Sequence, residues 1–455
     1  MKILLVKCHK NTIYSAYQPI ICEPLELEYI STMLDEESIK HNIIDRLIDN
    51  RSFKNCIINC TPDVLFLTGY ITAVDTILKY ANYAKKQNKD IKVVVGGVHS
   101  EVNYEDFFSL DIDVIQHQGD LHTSKALIRF LKEAFNSSGK EKWRDFDYKS
   151  LEDISGLAYL QHGNWKVNEK KAIDFYTLPL PKRTIMKEHP YKARYMNYIG
   201  LALLKTSISC PYSCRFCYCK EINKGIYLKR PIEEVIMEIK AIDEEYIWIV
   251  DDTFLIDRTS TLDFIDRIKK EGINKKWIAY SRADFIANNE DIIKMLSEIG
   301  FVEIIAGLED SSDEFLDSYE KGTSKNEGEE AVRILKENNI RLTGLFLAGI
   351  DFKKRDFKRL RAWIKKMNLK SYTVSIFTPL KGTELYEEYK DRIDVKDFSK
   401  YDFLHLVLRP THMSKLRFYM YFYMIYVEQF FSSPYIRSFL KHRLKEILKK
   451  KSISK

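Results

Sequence analysis

Between Leu201 and Phe377 the chain repeats one pattern that few folds can accommodate. Short runs rich in β-branched and aromatic residues occur at Leu201–Leu204, Tyr246–Val250, Lys276–Tyr280, Phe301–Ala306, Ile340–Ala348 and Tyr372–Phe377. Segments of helical period separate them, at Ile232–Ile242, Thr261–Lys270, Glu290–Ile299, Lys325–Asn338 and Asp356–Met367. Strands alternating with helices of this length specify βαβ units and a parallel sheet. Barrels built this way carry their sites at the C-terminal ends of the strands. There the chain places Asp251-Asp252, Ser281-Arg282, Gly307-Leu308-Glu309, Gly349 and Thr378-Pro379-Leu380-Lys381-Gly382-Thr383. A single polar residue at a strand end reads as a solvated helix cap. Five such groups in register with a barrel read as a site.

After the first run comes Cys210-Pro-Tyr-Ser-Cys214-Arg-Phe-Cys217, a C-x3-C-x2-C spacing that lets one loop present three thiolates to one metal centre. Two chemistries compete. A closed structural zinc site takes four ligands, and Cys219 is close enough in sequence to be the fourth, although no second knuckle follows downstream. An iron–sulfur cluster is held by thiolates in such tight runs. On three cysteines it keeps one iron without a protein ligand.

With Phe216 as the aromatic residue, C-x3-C-x-aromatic-C resembles the signature of the radical S-adenosylmethionine (SAM) enzymes. The resemblance implies a partial (β/α)6 barrel whose cluster loop follows the first strand. It implies a [4Fe–4S] cluster on Cys210, Cys214 and Cys217, with SAM chelated at the open iron. The cluster's electron then cleaves SAM to methionine and a 5′-deoxyadenosyl radical. The strand-end set resembles a subgroup with D-D, R and G-x-E at the second, third and fourth strands. That assigns Asp252, Ser281, Arg282 and Glu309, with Phe216, to SAM. One departure is Lys381, which stands where the family's P-x-P-G-T loop has its second proline.

The same subgroup carries an N-terminal cobalamin-binding domain. Here Met1–Val6, Asn42–Ile44, Val64–Leu67, Ile91–Val95 and Val114–Ile115 are strand-like, with helical stretches between them, which suits a flavodoxin-like (Rossmann-type) sheet. Beyond these strands lie Thr68-Gly69-Tyr70, Gly96-Gly97-Val98-His99 and His117-Gln118-Gly119-Asp120. Glycines permit close backbone approach to a large planar ligand. The resemblance therefore assigns Gly69, Gly96, Gly97, His99 and Gly119 to cobalamin, with Pro24 opening a helix. It also departs from the pattern. No D-x-H-x2-G motif follows Asp45, and the usual G-E-G-E turn reads His117-Gln-Gly-Asp120.

The expected α/β architecture is a B12-binding-like domain over residues 1–138, a connector over 139–194, a radical SAM core over 195–398, and a helical C-terminal region over 399–455. The connector reads as loose, with Gly156, Gly163 and Pro179-Leu-Pro181. Residues 434–455 hold eight Lys/Arg and one acid, so that tail carries the whole formal charge of +7. The aromatic segment Leu416–Phe431 before it reads as a helix that caps the barrel and lines a substrate cavity. Contact of this tail with a membrane is the less favoured reading. No apolar run approaches the ~20 residues of a span, and no secretory signal is evident, so the expected location is cytoplasmic. Cys8, Cys22, Cys56 and Cys60 read as apolar core residues. Their scatter does not match the second cluster of a methylthiotransferase.

The function these features imply is reductive SAM cleavage, with cobalamin-dependent methylation of an unactivated carbon as the first reading. Cyclisation or rearrangement on the same cofactors is the alternative. Expected partners are a small-molecule or peptide substrate and an external electron donor such as a flavodoxin or ferredoxin. No clear nucleic-acid partner is indicated.

Overall fold

The computed structural model describes residues 1–10, 19–49, 51–142, 148–189 and 193–453. The N-terminal sheet contains β1 (Lys2–Lys7), β2 (Lys40–Asp45), β3 (Val64–Thr68), β4 (Lys92–Gly96), β5 (Val114–Gln116), β6 (Leu157–Gln161) and β7 (Asn164–Val167). Their order is β2-β1-β3-β4-β5-β6-β7, and the first five run parallel. This is the flavodoxin-like order, and the chain reverses direction across the sheet between β1 and β3. Leu4, Leu5 and Val6 are wholly buried because helices cover both faces.

Strands β6 and β7 come from the segment expected to be a loose connector. They form an antiparallel hairpin on β5. Its two-residue turn puts both His162 (φ 50°) and Gly163 (φ 80°) in the left-handed region, the geometry that matches the twist of a tight hairpin. The glycine marked a turn, but the alternation on either side is too short to announce strands.

The second sheet contains β8 (Leu201–Leu204), β9 (Tyr246–Ile249), β10 (Lys276–Arg282), β11 (Phe301–Glu309), β12 (Arg341–Ala348) and β13 (Ser371–Ile376). These pair in chain order, all parallel. Helices Ile232–Lys240, Arg258–Lys270, Glu290–Glu298, Lys325–Glu337 and Lys354–Lys366 connect them. Their starts are encoded locally. Asp257 accepts from the Ser260 amide, and Ser324 with Glu327 forms a reciprocal capping box.

β8 and β13 do not pair with each other, so the barrel is partial and its first strand has a free side. Side chains complete it. The Leu203 amide donates to Glu23 Oε1 at 2.6 Å, and Arg183 Nη2 donates to the Leu203 carbonyl at 2.9 Å. Arg183 also pairs with Glu23 and, at 2.7 Å, with Glu238. Arg230 Nη1 reaches the other oxygen of Glu238 at 2.7 Å. Glu23, Glu238, Arg183 and Arg230 are all buried. Truncating one member leaves the others as uncompensated buried charges, which costs about 3–5 kcal/mol. Glu23→Ala is expected to lower thermal stability by that amount, with loss of the barrel's near-ultraviolet circular dichroism before that of the N-terminal sheet. An unchanged melting temperature would show that the edge is held by other contacts.

Candidate active site

The strand ends of the barrel gather the charged residues around the cysteine loop. That loop is folded on itself by a hydrogen bond from the Cys217 amide to the Cys214 carbonyl at 3.0 Å. The Arg215 amide ties it to the Tyr319 carbonyl at 3.2 Å. Cys214 is buried, and Cys210 and Cys217 are partly exposed. Among the described residues, no three His, Cys, Asp or Glu side chains converge as they would on a single ion. Tetrahedral zinc, with Zn–S of about 2.3 Å, requires that convergence. A cubane takes each thiolate on a different iron, so its ligands stand farther apart. Cys219, the candidate fourth zinc ligand, donates to Asp252 Oδ1 at 3.3 Å. Its hydrogen bond to Cys217 holds the Cys217 thiol below its usual range and pushes its own above it. The donor set fits a cluster.

Cation density sits beside Cys214. Arg282 Nη1 lies 3.9 Å from its sulfur, and burial, which raises this thiol, is opposed by Lys321 and Arg282. The guanidinium is locked in place. It stacks on Tyr212 at 3.9 Å and donates to Asp284 (3.0 Å) and to the carbonyls of Lys321 (2.7 Å) and Gly322 (3.1 Å). Glu309 has φ 57°, where β11 slips register against β12 between Gly307 and Glu309. Its Oε1 accepts from Lys321 Nζ at 2.7 Å. A Cβ on Gly307 would stand 2.4 Å from Glu309 Oε1 and 2.6 Å from Lys321 Nζ. The glycine of G-x-E thus makes room for the ion pair beside it. Phe216 meets Tyr319 edge-on at 5.7 Å, with Lys321 Nζ 6.0 Å from its ring. Ser281 is buried and donates to the Arg282 carbonyl at 3.2 Å.

The two aspartates after β9 divide the work. Asp251 accepts from the Thr206 amide (2.7 Å), the Ser207 amide (3.1 Å) and the Thr206 hydroxyl, which fixes the start of the cysteine loop. Asp252 keeps a buried Oδ2 with no protein partner. Lys205 lies beside both. Burial opposes its charge, yet Asp252 and Asp251 hold the ammonium above its usual range. Lys205, Tyr212 and Lys321 were not picked out from the sequence. Lys205 follows directly on a strand and could have been found by the rule that flagged the others. Lys321 stands in a loop with no periodic signal.

A cavity of about 290 Å³ lies where the two sheets face each other. It is lined by Tyr70, Val98 and His99, which follow β3 and β4, by Tyr218, Leu380 and Lys381 of the barrel, and by Tyr401, Asp402 and Phe403 of the C-terminal region. Tyr218 is the residue after Cys217, so the cavity abuts the cysteine loop. His99 Nε2 is engaged with Asp106 at 2.9 Å, and Lys381 Nζ reaches the same carboxylate from across the gap. The lysine that departs from P-x-P-G-T is therefore a clasp between the domains. His99 alone of the residues assigned to cobalamin lines the cavity; Gly69 and Gly97 adjoin its wall.

Three of the glycines are also required by the chain's own packing. Gly97 has φ 108°, and a Cβ there would stand 2.4 Å from Thr68 Oγ1. A Cβ on Gly69 would meet Ala73 Cβ at 2.8 Å, and one on Gly119 would meet Glu101 Oε2 at 2.1 Å. Gly96 has only Gln116 Cβ nearby, at 3.9 Å. The turn written His117-Gln-Gly-Asp120 starts a helix, because Asp120 Oδ1 accepts from the Thr123 amide at 2.8 Å. Asp45, which lacks the D-x-H-x2-G histidine after it, pairs instead with His9 at 3.1 Å.

Comparison with known proteins agrees with both halves of this geometry. The model of the Radical SAM superfamily matches residues 204–364, and that of the B12 binding domain matches residues 13–125. An uncharacterized methyltransferase of Pyrococcus horikoshii is 28% identical over 402 residues, spanning 85% of this chain and 83% of its own length. The hopanoid C-3 methylase of Methylococcus capsulatus is 23% identical over 408 residues, spanning 87% and 74%. The solved structure of the cobalamin-dependent S-adenosylmethionine radical enzyme OxsB with aqua-cobalamin superposes with a TM-score of 0.64 at 19% identity. It covers 88% of this chain, which spans 56% of OxsB. With the cysteine loop at the mouth of a partial barrel and a flavodoxin-like sheet facing it, the chain belongs to the radical SAM enzymes that carry a B12-binding domain and use a [4Fe–4S] cluster, S-adenosylmethionine and cobalamin.

Proposed function

We propose that this enzyme transfers a methyl group to an unactivated carbon of a small-molecule or peptide substrate. One observation carries the reading: the cavity at the strand ends of the N-terminal sheet is also lined by Tyr218, which follows the cysteine loop directly. A methyl carrier seated there and a radical source on the loop are neighbours, as methyl transfer requires. When bound, the cluster supplies the electron that cleaves SAM, and cobalamin supplies the methyl-carrying metal centre. Two relatives that span most of this chain carry names that describe methyl transfer.

The chain's own residues have these roles. Cys210, Cys214 and Cys217 hold the cluster. Arg282 and Lys321 place fixed positive charge beside Cys214, which favours its thiolate and attracts a carboxylate. The unpartnered Oδ2 of Asp252 accepts from an ammonium group. Glu309, oriented by Lys321, accepts from ribose hydroxyls. Phe216 and Tyr212 exclude water beside them, which strengthens each of these contacts. His99 is committed to Asp106, so a corrin in the cavity rests without a histidine from a D-x-H-x2-G motif. An external one-electron donor and a reducing compartment, such as the cytoplasm, complete the proposal. All eight cysteines are free thiols.

Three outcomes are expected. Cys214→Ala loses iron and SAM cleavage, because alanine offers iron no donor, whereas Cys219→Ala keeps both. Iron and sulfide analysis after anaerobic reconstitution decides it, and a full cluster in Cys214→Ala would refute the ligand set. Arg282→Ala and Glu309→Ala each retain iron but raise the SAM dissociation constant about 10- to 150-fold, since a hydrogen bond to a charged group is worth about 1.5–3 kcal/mol. Equal affinity in both variants, read by equilibrium dialysis, would place SAM elsewhere. Val98→Trp fills the interdomain cavity and is expected to abolish corrin absorption in reconstituted protein while iron content is unchanged. It is a cleaner test than Gly97→Leu, which strains the loop whether or not a corrin binds. A wild-type protein that takes up no corrin removes the methyl-transfer reading.

A further inference from the structure

The helix Lys415–Ser432 is apolar on two sides. Its inner face presents Phe418, Phe422 and Ile425, all fully buried against β13 and the helix Lys354–Lys366. Phe418 meets Phe357 edge-on at 5.2 Å. That face caps the barrel from outside and does not line its interior, contrary to the cavity-lining half of the sequence expectation. The opposite face is exposed. Leu416 is 80% exposed, Phe431 73% and Val427 53%, with Met420, Met424 and Phe430 between 39 and 49%. At 100° per residue these six occupy one stripe about 120° wide, and no charged residue falls inside it. An exposed apolar patch of this continuity marks a contact surface.

The chain then enters a second helix, Pro434–Ile453, that exposes Arg437, Lys441 and Lys445. Residues 434–455 carry eight Lys/Arg against one acid. We propose that this face seats the enzyme on the surface of an anionic lipid bilayer, with the first helix lying in the interface and the basic helix beside the headgroups. No described helix is long and apolar enough to cross a membrane, so the contact is peripheral. The apolar stripe inserts among acyl chains, and the basic residues are drawn to anionic lipid. A second copy on the same face would bring two basic tails of like charge together, which opposes it. The anchor is rigidly joined to the catalytic unit. Tyr426 and Gln429 of the same helix bond the backbone of β13.

Flotation of the full-length protein with vesicles tests this. Binding is expected to vesicles containing about a third phosphatidylglycerol, to weaken at high salt, and to be slight with phosphatidylcholine alone. The pair Met420→Glu and Val427→Glu should lower the bound fraction about tenfold or more while iron content and circular dichroism stay as in the wild type. Lys441→Glu with Lys445→Glu should remove the preference for anionic lipid without touching the apolar stripe. Absence of binding to both vesicle types would overturn the proposal, as would vesicle binding that the paired glutamates leave intact. A wild-type dimer that those glutamates convert to monomer would overturn it too, assigning the stripe to a second copy.

Discussion

A parallel sheet rolled only part of the way round has two buried edges, and every amide and carbonyl on them needs a partner. In this enzyme several of those partners are side chains of residues remote in sequence. On β8, Glu23 and Arg183 bond the amide and carbonyl of Leu203. On β13, the Tyr426 hydroxyl lies between the amide (3.0 Å) and carbonyl (2.7 Å) of Val374, and Gln429 donates to the Tyr372 carbonyl at 2.8 Å. The lateral opening of the barrel therefore persists with Leu203, Tyr372 and Val374 satisfied on its edges. The buried arginines and glutamates at β8 gain little net stability, because desolvation offsets their attraction. What they fix is geometry: the N-terminal domain is docked by the same charges that finish the strand.

That docking defines the site. The cysteine loop, the Arg282–Asp284 and Lys321–Glu309 pairs and the strand-end aspartates form one pole. The loops after β3 and β4 form the other. Lys381 crosses between them to Asp106, so the width of the gap is set by an ion pair as well as by packing. The pole near the cysteines is already charged and hydrogen-bonded before any ligand is considered, which is the preorganisation that electrostatic catalysis requires.

The barrel was legible because each strand and helix follows local rules: β-branched runs, capped helix starts and polar residues at strand ends. The six strands lie where the apolar runs predicted, within three residues at their ends. The flavodoxin-like sheet was legible for the same reason. Contacts between residues remote in sequence were not. Nothing near Glu23 announces Leu203, and nothing near Lys321 announces Glu309. The glycines were noticed for close backbone approach, and what the sequence did not announce is that three of them also make room for Thr68, Ala73 and Glu101. Lys381 was noted as a departure from a motif, and only its position across the gap gives it a purpose. The outer stripe of the helix Lys415–Ser432 was hidden by composition, because a helix apolar on two sides reads the same as one buried all round.

The Glu23–Leu203 bond joins residues 180 positions apart. At about 5–20 residues per second, a ribosome needs about 10–40 s to cover that interval. Through this time the nascent N-terminal domain holds out a solvated carboxylate with no strand to finish. When β8 emerges, its open side meets that waiting carboxylate. The far edge stays bare until Tyr426, 52 positions beyond Val374, is made, so β13 is open to pairing with another nascent chain for that interval. The order of translation thus gives the first edge its cover early and leaves the last edge to the helix Lys415–Ser432, so the emergence of that helix, and not of β13, is the step at which both edges of this barrel are covered.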